Sequence, residues 1–194
     1  MLQNHLSRLW FLSQGYRKHP HYNLWAREGE ACFLSAYGQK LMHNYSPSHR
    51  KKQTKRGYCA PCIRQFRGKS CHVLMGEIFY GERPMYIDRH GKPYVGICHH
   101  VIEDPLDYRP ENLLCWFNRE QHKVADKRRS ALEGLVPDLH AFPIDRLRVL
   151  EDPRVTTDEQ FDYEIEQLRP GFVLVDPAII DDLEPLKYAD MYEH

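Results

Sequence analysis

No apolar run in this 194-residue chain approaches the roughly 18 residues that a membrane-crossing helix needs, so no spanning segment is expected. Met1-Leu2-Gln3-Asn4-His5 has neither the charged start nor the apolar core of a signal peptide, and the expectation is a cytoplasmic protein. Internal repeats and low-complexity tracts are lacking, which argues against a solenoid or a disordered chain. A second C-x-x-C is missing too, so Cys59-Ala60-Pro61-Cys62, which has the spacing of a zinc knuckle, would have to draw on Cys71, Cys98 or Cys115 to complete a four-ligand site. With 42% hydrophobic and 28% charged residues, the chain can bury one core in one or two small domains.

Net charge is also absent, because 27 Lys and Arg balance 27 Asp and Glu, but the balance conceals a gradient. Residues 1–72 carry 13 basic against 2 acidic side chains, whereas residues 140–194 carry 5 against 14. A basic first third points to nucleic acid. Its densest part is Arg50, Lys51, Lys52, Lys55 and Arg56, a cationic track suited to phosphates. A second cluster, Lys123, Lys127, Arg128 and Arg129, follows His122, and Lys123 and Lys127 share a face at helical spacing.

What is present in excess is histidine, and its arrangement carries chemistry. Cys98-His99-His100 is followed twelve positions after His100 by Asn112 and ten further on by His122. Two adjacent imidazoles, an amide and a third imidazole can hold a divalent metal beside a general base, the equipment for phosphodiester cleavage. Local signals give this set a framework. Gly91-Lys92-Pro93 is a turn before a half-buried strand running from Tyr94 to His100, on which His99 and His100 point to opposite faces. Pro105 and Pro110 confine a loop, Leu113 to Phe117 return as a second strand, and Asn118 with Gln121 forms a capping box opening a helix through about Arg129 that Gly134 could close.

His99-His100-Val101, Asp107-Tyr108-Arg109-Pro110-Glu111-Asn112-Leu113 and His122 together resemble the signature of the HNH (His-Me finger, ββα-metal) endonucleases, closest to the phage and homing type. Arg56 to Lys69 and Cys71 to Phe79 resemble the hairpin and helix preceding the site in that family, and Phe33 to Gly38 a small strand module, so the likeness spans about residues 22–130. The resemblance implies a bacterial or phage-encoded enzyme that nicks or cleaves DNA. His100 matches the general base and Asn112 would orient its ring. His99 and His122 would hold one divalent ion, with Gln121, which stands at the family's usual third position, as the fallback ligand. Mg²⁺ suits the role, while Mn²⁺, Ni²⁺ or Zn²⁺ match two imidazoles better in softness. Arg109, Lys123, Lys127 and Arg128 would contact the substrate backbone.

The resulting reading is an α+β protein. Residues 1–56 form a basic region with small hairpins, 57–135 a ββα-metal nuclease core, and 136–194 an acidic, mixed α/β appendage. Thr157 begins a helix with Phe161, Ile165 and Leu168 on one face, Phe172 to Val175 is strand-like, and residues 179–183 read as another helical turn. This segment is read mainly as packing, with an acidic surface that could take a protein partner or mimic DNA. Cys59 and Cys62 are read as buried thiols ahead of a structural zinc pair. The rival function is a nuclease-derived DNA-binding or structural component, of a virion or ribonucleoprotein, that has lost catalysis.

Overall fold

The computed structural model describes residues 7–41, 43–47, 57–61, 69–104, 106–136 and 138–168. The cationic run of Arg50, Lys51, Lys52, Lys55 and Arg56, Cys62, and the elements expected at 172–175 and 179–183 lie outside the described residues, as does the side chain of Cys59. The fold is mixed α+β, built from small antiparallel sheets and several helices. Helix α1 (Arg8–Ser13) opens on Ser7, whose hydroxyl accepts from the Trp10 N–H. Strands β1 (Arg17–Lys18), β2 (Leu24–Ala26) and β3 (Leu34–Ser35) form one sheet, and β4 (His43–Pro47) pairs with β5 (Gly57–Pro61). Helix α2 (Cys71–Tyr80) leads to the β6 (Met85–Ile87) and β7 (Pro93–Val95) pair, then to β8 (Ile97–His100) and β9 (Leu113–Phe117). Helices α3 (Arg119–Leu135), α4 (Ile144–Glu151) and α5 (Asp158–Leu168) complete the described chain. None of the described helices is long and apolar enough to cross a membrane.

The single strand expected from Tyr94 to His100 is instead two, divided at Gly96. Before Gly96 the chain pairs with β6, and after it with β9. The crossover brings backbones close: the Gly96 N–H donates to the Pro84 carbonyl at 2.8 Å, and a Cβ at Gly96 would meet the Pro84 ring at 3.2 Å and Trp116 Cα at 3.3 Å. Glycine meets that need for close approach. The turn at Gly91 is as expected, with φ at +76° and the Asp88 carboxylate accepting from the His90 and Lys92 N–H groups.

The β8–β9 hairpin is covered on both faces. Cys98, Leu113, Cys115 and Trp116 pack against Leu74, Met75 and Ile78 of α2, Leu24 of the first sheet and Phe33 just before β3. Leu114 and Phe117 pack against Ala125 and Leu132 of α3, Leu147 and Leu150 of α4, and Phe161 of α5. Strict alternation would send Trp116 to the α3 face. It joins Cys115 on the α2 face because the ladder slips by one residue opposite Cys98, and Trp116 absorbs the slip with φ at +66°. That left-handed conformation costs about 1–3 kcal/mol in a non-glycine residue. Packing of the indole on Gly76, its N–H bond to the Gly81 carbonyl and a Tyr86 hydroxyl bond to its own carbonyl offset the cost.

Two helix ends follow from the sequence and one departs from it. Asn118 and Gln121 form the capping box of α3, and Thr157 and Gln160 exchange the same pair of bonds ahead of α5. Gly134 does not close α3, which continues to Leu135, because Leu132 keeps the last turn docked in the core. The two helical glycines therefore respond oppositely to substitution. Gly76→Val, whose Cβ would stand 2.8 Å from Cys115 Sγ and 2.9 Å from the Trp116 ring, is expected to lose about 1–3 kcal/mol by urea denaturation. Gly134→Ala, which faces open space, is expected to gain about 0.5–1 kcal/mol.

Candidate metal centre

His99 leaves β8 on the α3 face of the hairpin and His122 and Asp126, four residues apart on α3, rise to meet it. Helical spacing places the latter two side chains one above the other. His99 Nδ1 lies 3.3 Å from Asp126 Oδ1 and His122 Nδ1 lies 3.2 Å from Asp126 Oδ2. The two imidazoles stand edge to face with centroids 5.4 Å apart. One donor atom from each of the three residues falls within 4.8 Å of the others, a grouping able to hold a metal ion. The fit is supported by His99 Nδ1 itself. It is buried, 3.3 Å from Asp126 Oδ1 and without an aligned hydrogen bond, so a cation there would replace a poorly placed proton rather than break a good bond. Two nitrogens and a carboxylate suit Mn²⁺, Ni²⁺ or Zn²⁺.

The electrostatics favour ligand forms for two of the three residues. Burial pushes the Asp126 carboxyl up, but its close approach to His99 and the charge of His122 more than offset it and hold the group below its ordinary range. Burial lowers His122, against the pull of Asp126, and keeps its ring neutral. Burial also opposes charge on His99, yet Asp126 and Glu151 outweigh it and raise this ring, so cation binding must displace a proton from Nδ1. The other nitrogen, Nε2, lies 2.7 Å from Glu151 Oε2, whose carboxyl is pushed up to about 7 by burial against the pull of His99.

His100 points the other way, towards α2, where its ring meets that of His72 at 4.9 Å. Its Nε2 is buried without a hydrogen-bond partner. Burial first, then the neighbouring charge of His99, brings its pKa down to about 4, so the ring is neutral near pH 7 and able to accept a proton. Arg129 Nη1 donates to the His100 carbonyl at 3.1 Å and anchors the strand end to α3.

Asn112 corrects one expectation. Its Oδ1 accepts from the Ile102 N–H at 2.7 Å, and its Nδ2 donates to the carbonyls of Ile102 and Asp107 at 3.0 and 2.9 Å. The amide thus clamps the loop between the strands, whose buried backbone groups need partners, and among the described residues no hydrogen bond joins it to His100. Gln121 is engaged in the cap of α3, donating its N–H to Asn118 Oδ1 at 2.9 Å and accepting from the Asn118 N–H at 3.0 Å. Asp126, one turn after His122, stands as the third potential ligand. The i,i+4 spacing from His122 was the signal for it.

The expected substrate contacts divide. Arg128 is not on the surface: it is 3% exposed, donates to the Leu150 carbonyl at the end of α4 and to Asp158, and covers the Phe161 ring. Helices α4 and α5 cover that side of α3, which the charge pattern alone does not reveal. Arg129 is buried as well. Arg109 is paired with Asp107 and Lys123 with Glu120, while Lys127 is exposed. Cys71, Cys98 and Cys115 are buried in the α2-side cluster. Comparison with protein-family models, curated proteins and solved structures returned no match.

Alanine at His122 or Asp126 is expected to weaken Mn²⁺ binding in calorimetric titration by more than the roughly 10- to 100-fold that follows loss of a supporting partner. Gln121→Ala should leave the affinity within about twofold and instead cost about 0.3–1.5 kcal/mol of stability through the cap. Equal Mn²⁺ affinity in wild type and Asp126→Ala would remove Asp126 from the ligand set.

Proposed function

We propose that this chain is a metal-dependent DNA endonuclease of HNH type, in which β8, β9 and α3 form the ββα-metal unit. The observation that carries the reading is the His99, His122 and Asp126 grouping beside His100, a neutral ring whose Nε2 has no hydrogen-bond partner. His100 accepts the proton of the attacking water through Nε2, and its low pKa keeps it in the accepting form at neutral pH. Asn112 and Arg129 hold the strand end and loop that carry it. A divalent ion, when bound by His99, His122 and Asp126, supplies Lewis-acid stabilisation of the phosphate and the departing oxygen. DNA is the proposed partner because the first third of the chain is strongly basic.

One observation favours the rival reading of a binding protein that has lost catalysis. His100 Nε2 is screened from solvent, whereas a working base must reach water. A plasmid-nicking assay with Mg²⁺, Mn²⁺ and EDTA separates the two. The nuclease reading expects metal-dependent nicking that His100→Ala reduces on the order of 10²- to 10⁴-fold while DNA binding persists. A base with its pKa near 4 is neutral above that value, so at saturating metal the loss of rate due to His100 should come as pH drops through about 4, below the range in which His99 regains its proton and metal binding weakens. No nicking with any metal, or wild-type nicking by His100→Ala, would contradict the assignment.

A further inference from the structure

We infer that Glu151 is a positioning residue of the metal centre: by accepting the Nε2–H of His99 it fixes that ring so that Nδ1 faces His122 and Asp126. The inference rests on the metal-centre reading above and extends it to a residue 52 positions from His99, beyond the span of the family resemblance.

The geometry gives Glu151 one described partner. Its Oε2 is 2.7 Å from His99 Nε2, its Oε1 is buried with no hydrogen bond, and the residue is 0% exposed. Among the described residues no Lys or Arg forms an ion pair with it. Burying a carboxylate in this way costs several kcal/mol, and an apolar side chain of similar volume would often be no worse for stability. Packing does not explain it, since Leu147 and Leu150 already supply the apolar contacts of α4. Nor does helix electrostatics: Glu151 is the last residue of α4, where the helix dipole disfavours negative charge.

A carboxylate behind a metal-binding imidazole accounts for all of these features. Burial pushes the Glu151 carboxyl up to about 7 against the pull of His99, and in its ionised form it only accepts hydrogen bonds, so that form selects the ring with its proton on Nε2 and the lone pair on Nδ1. It also raises the basicity of the ligating nitrogen. A glutamine at the same place could accept from Nε2–H or donate to Nε2, and would lose that selection.

The test uses Zn²⁺ and the full chain. In the Zn²⁺-loaded wild type, ring ¹H–¹⁵N spectra should show a histidine with a coordinated Nδ1 and its proton on Nε2. Glu151→Gln should weaken Zn²⁺ binding, measured against a competing chelator, by roughly 10- to 100-fold, with unfolding in EDTA no earlier than wild type. Unchanged affinity and ring spectrum in Glu151→Gln, with Zn²⁺ bound by both proteins, would overturn the inference and leave the metal centre standing. A wild-type spectrum with zinc on Nε2 of His99 would overturn it without recourse to any variant. Absence of Zn²⁺ binding by wild type would sink the metal-centre reading first, and this inference with it.

Discussion

The candidate site depends on one buried imidazole with two different neighbours. His99 cannot be satisfied by solvent, so each ring nitrogen is defined by what the fold brings to it: Glu151 on one side, the His122 and Asp126 pair on the other. A neutral imidazole has one donor and one acceptor, and an accept-only partner on Nε2 leaves Nδ1 as the acceptor. Three separate parts of the chain must therefore be in register before the site exists.

That register is set by the hairpin and its cover. Gly96 lets the strand change partners without a clash, and the slip at Trp116 keeps Phe117 on the face where His99 meets α3. Adjacent residues of one strand then serve different surroundings, His99 among carboxylates and His100 against His72. The same burial that depresses His100 to about 4 is opposed at His99 by the carboxylates of Asp126 and Glu151. Neighbouring imidazoles are thus pushed apart in basicity by what each ring faces.

Much of the local framework was legible because its causes are local. The turn at Gly91, the caps at Asn118 and Thr157, the return strand from Leu113 and the placement of His122 in the first turn of a helix follow from residues a few positions apart. What could not be read depends on contacts distant in sequence. Glu151 and His99 are 52 positions apart, the burial of Arg128 requires knowing where α5 lies, and the direction of the Asn112 amide is set by which loop groups need partners. Asp126 is intermediate: its spacing from His122 was visible, but its value as a ligand emerges only once His99 is opposite. The acidic character of the C-terminal third likewise gave no hint that one of its carboxylates is turned inward.

The central claim is that a divalent cation sits between β8 and α3. Anomalous diffraction from a crystal grown with Mn²⁺ tests it directly. The account predicts one strong peak within roughly 2.0–2.3 Å of His99 Nδ1, a His122 ring nitrogen and an Asp126 oxygen, distances typical of first-row metals on these ligands. No peak there, or a peak bound by other residues with His99 still paired to Asp126, would contradict it.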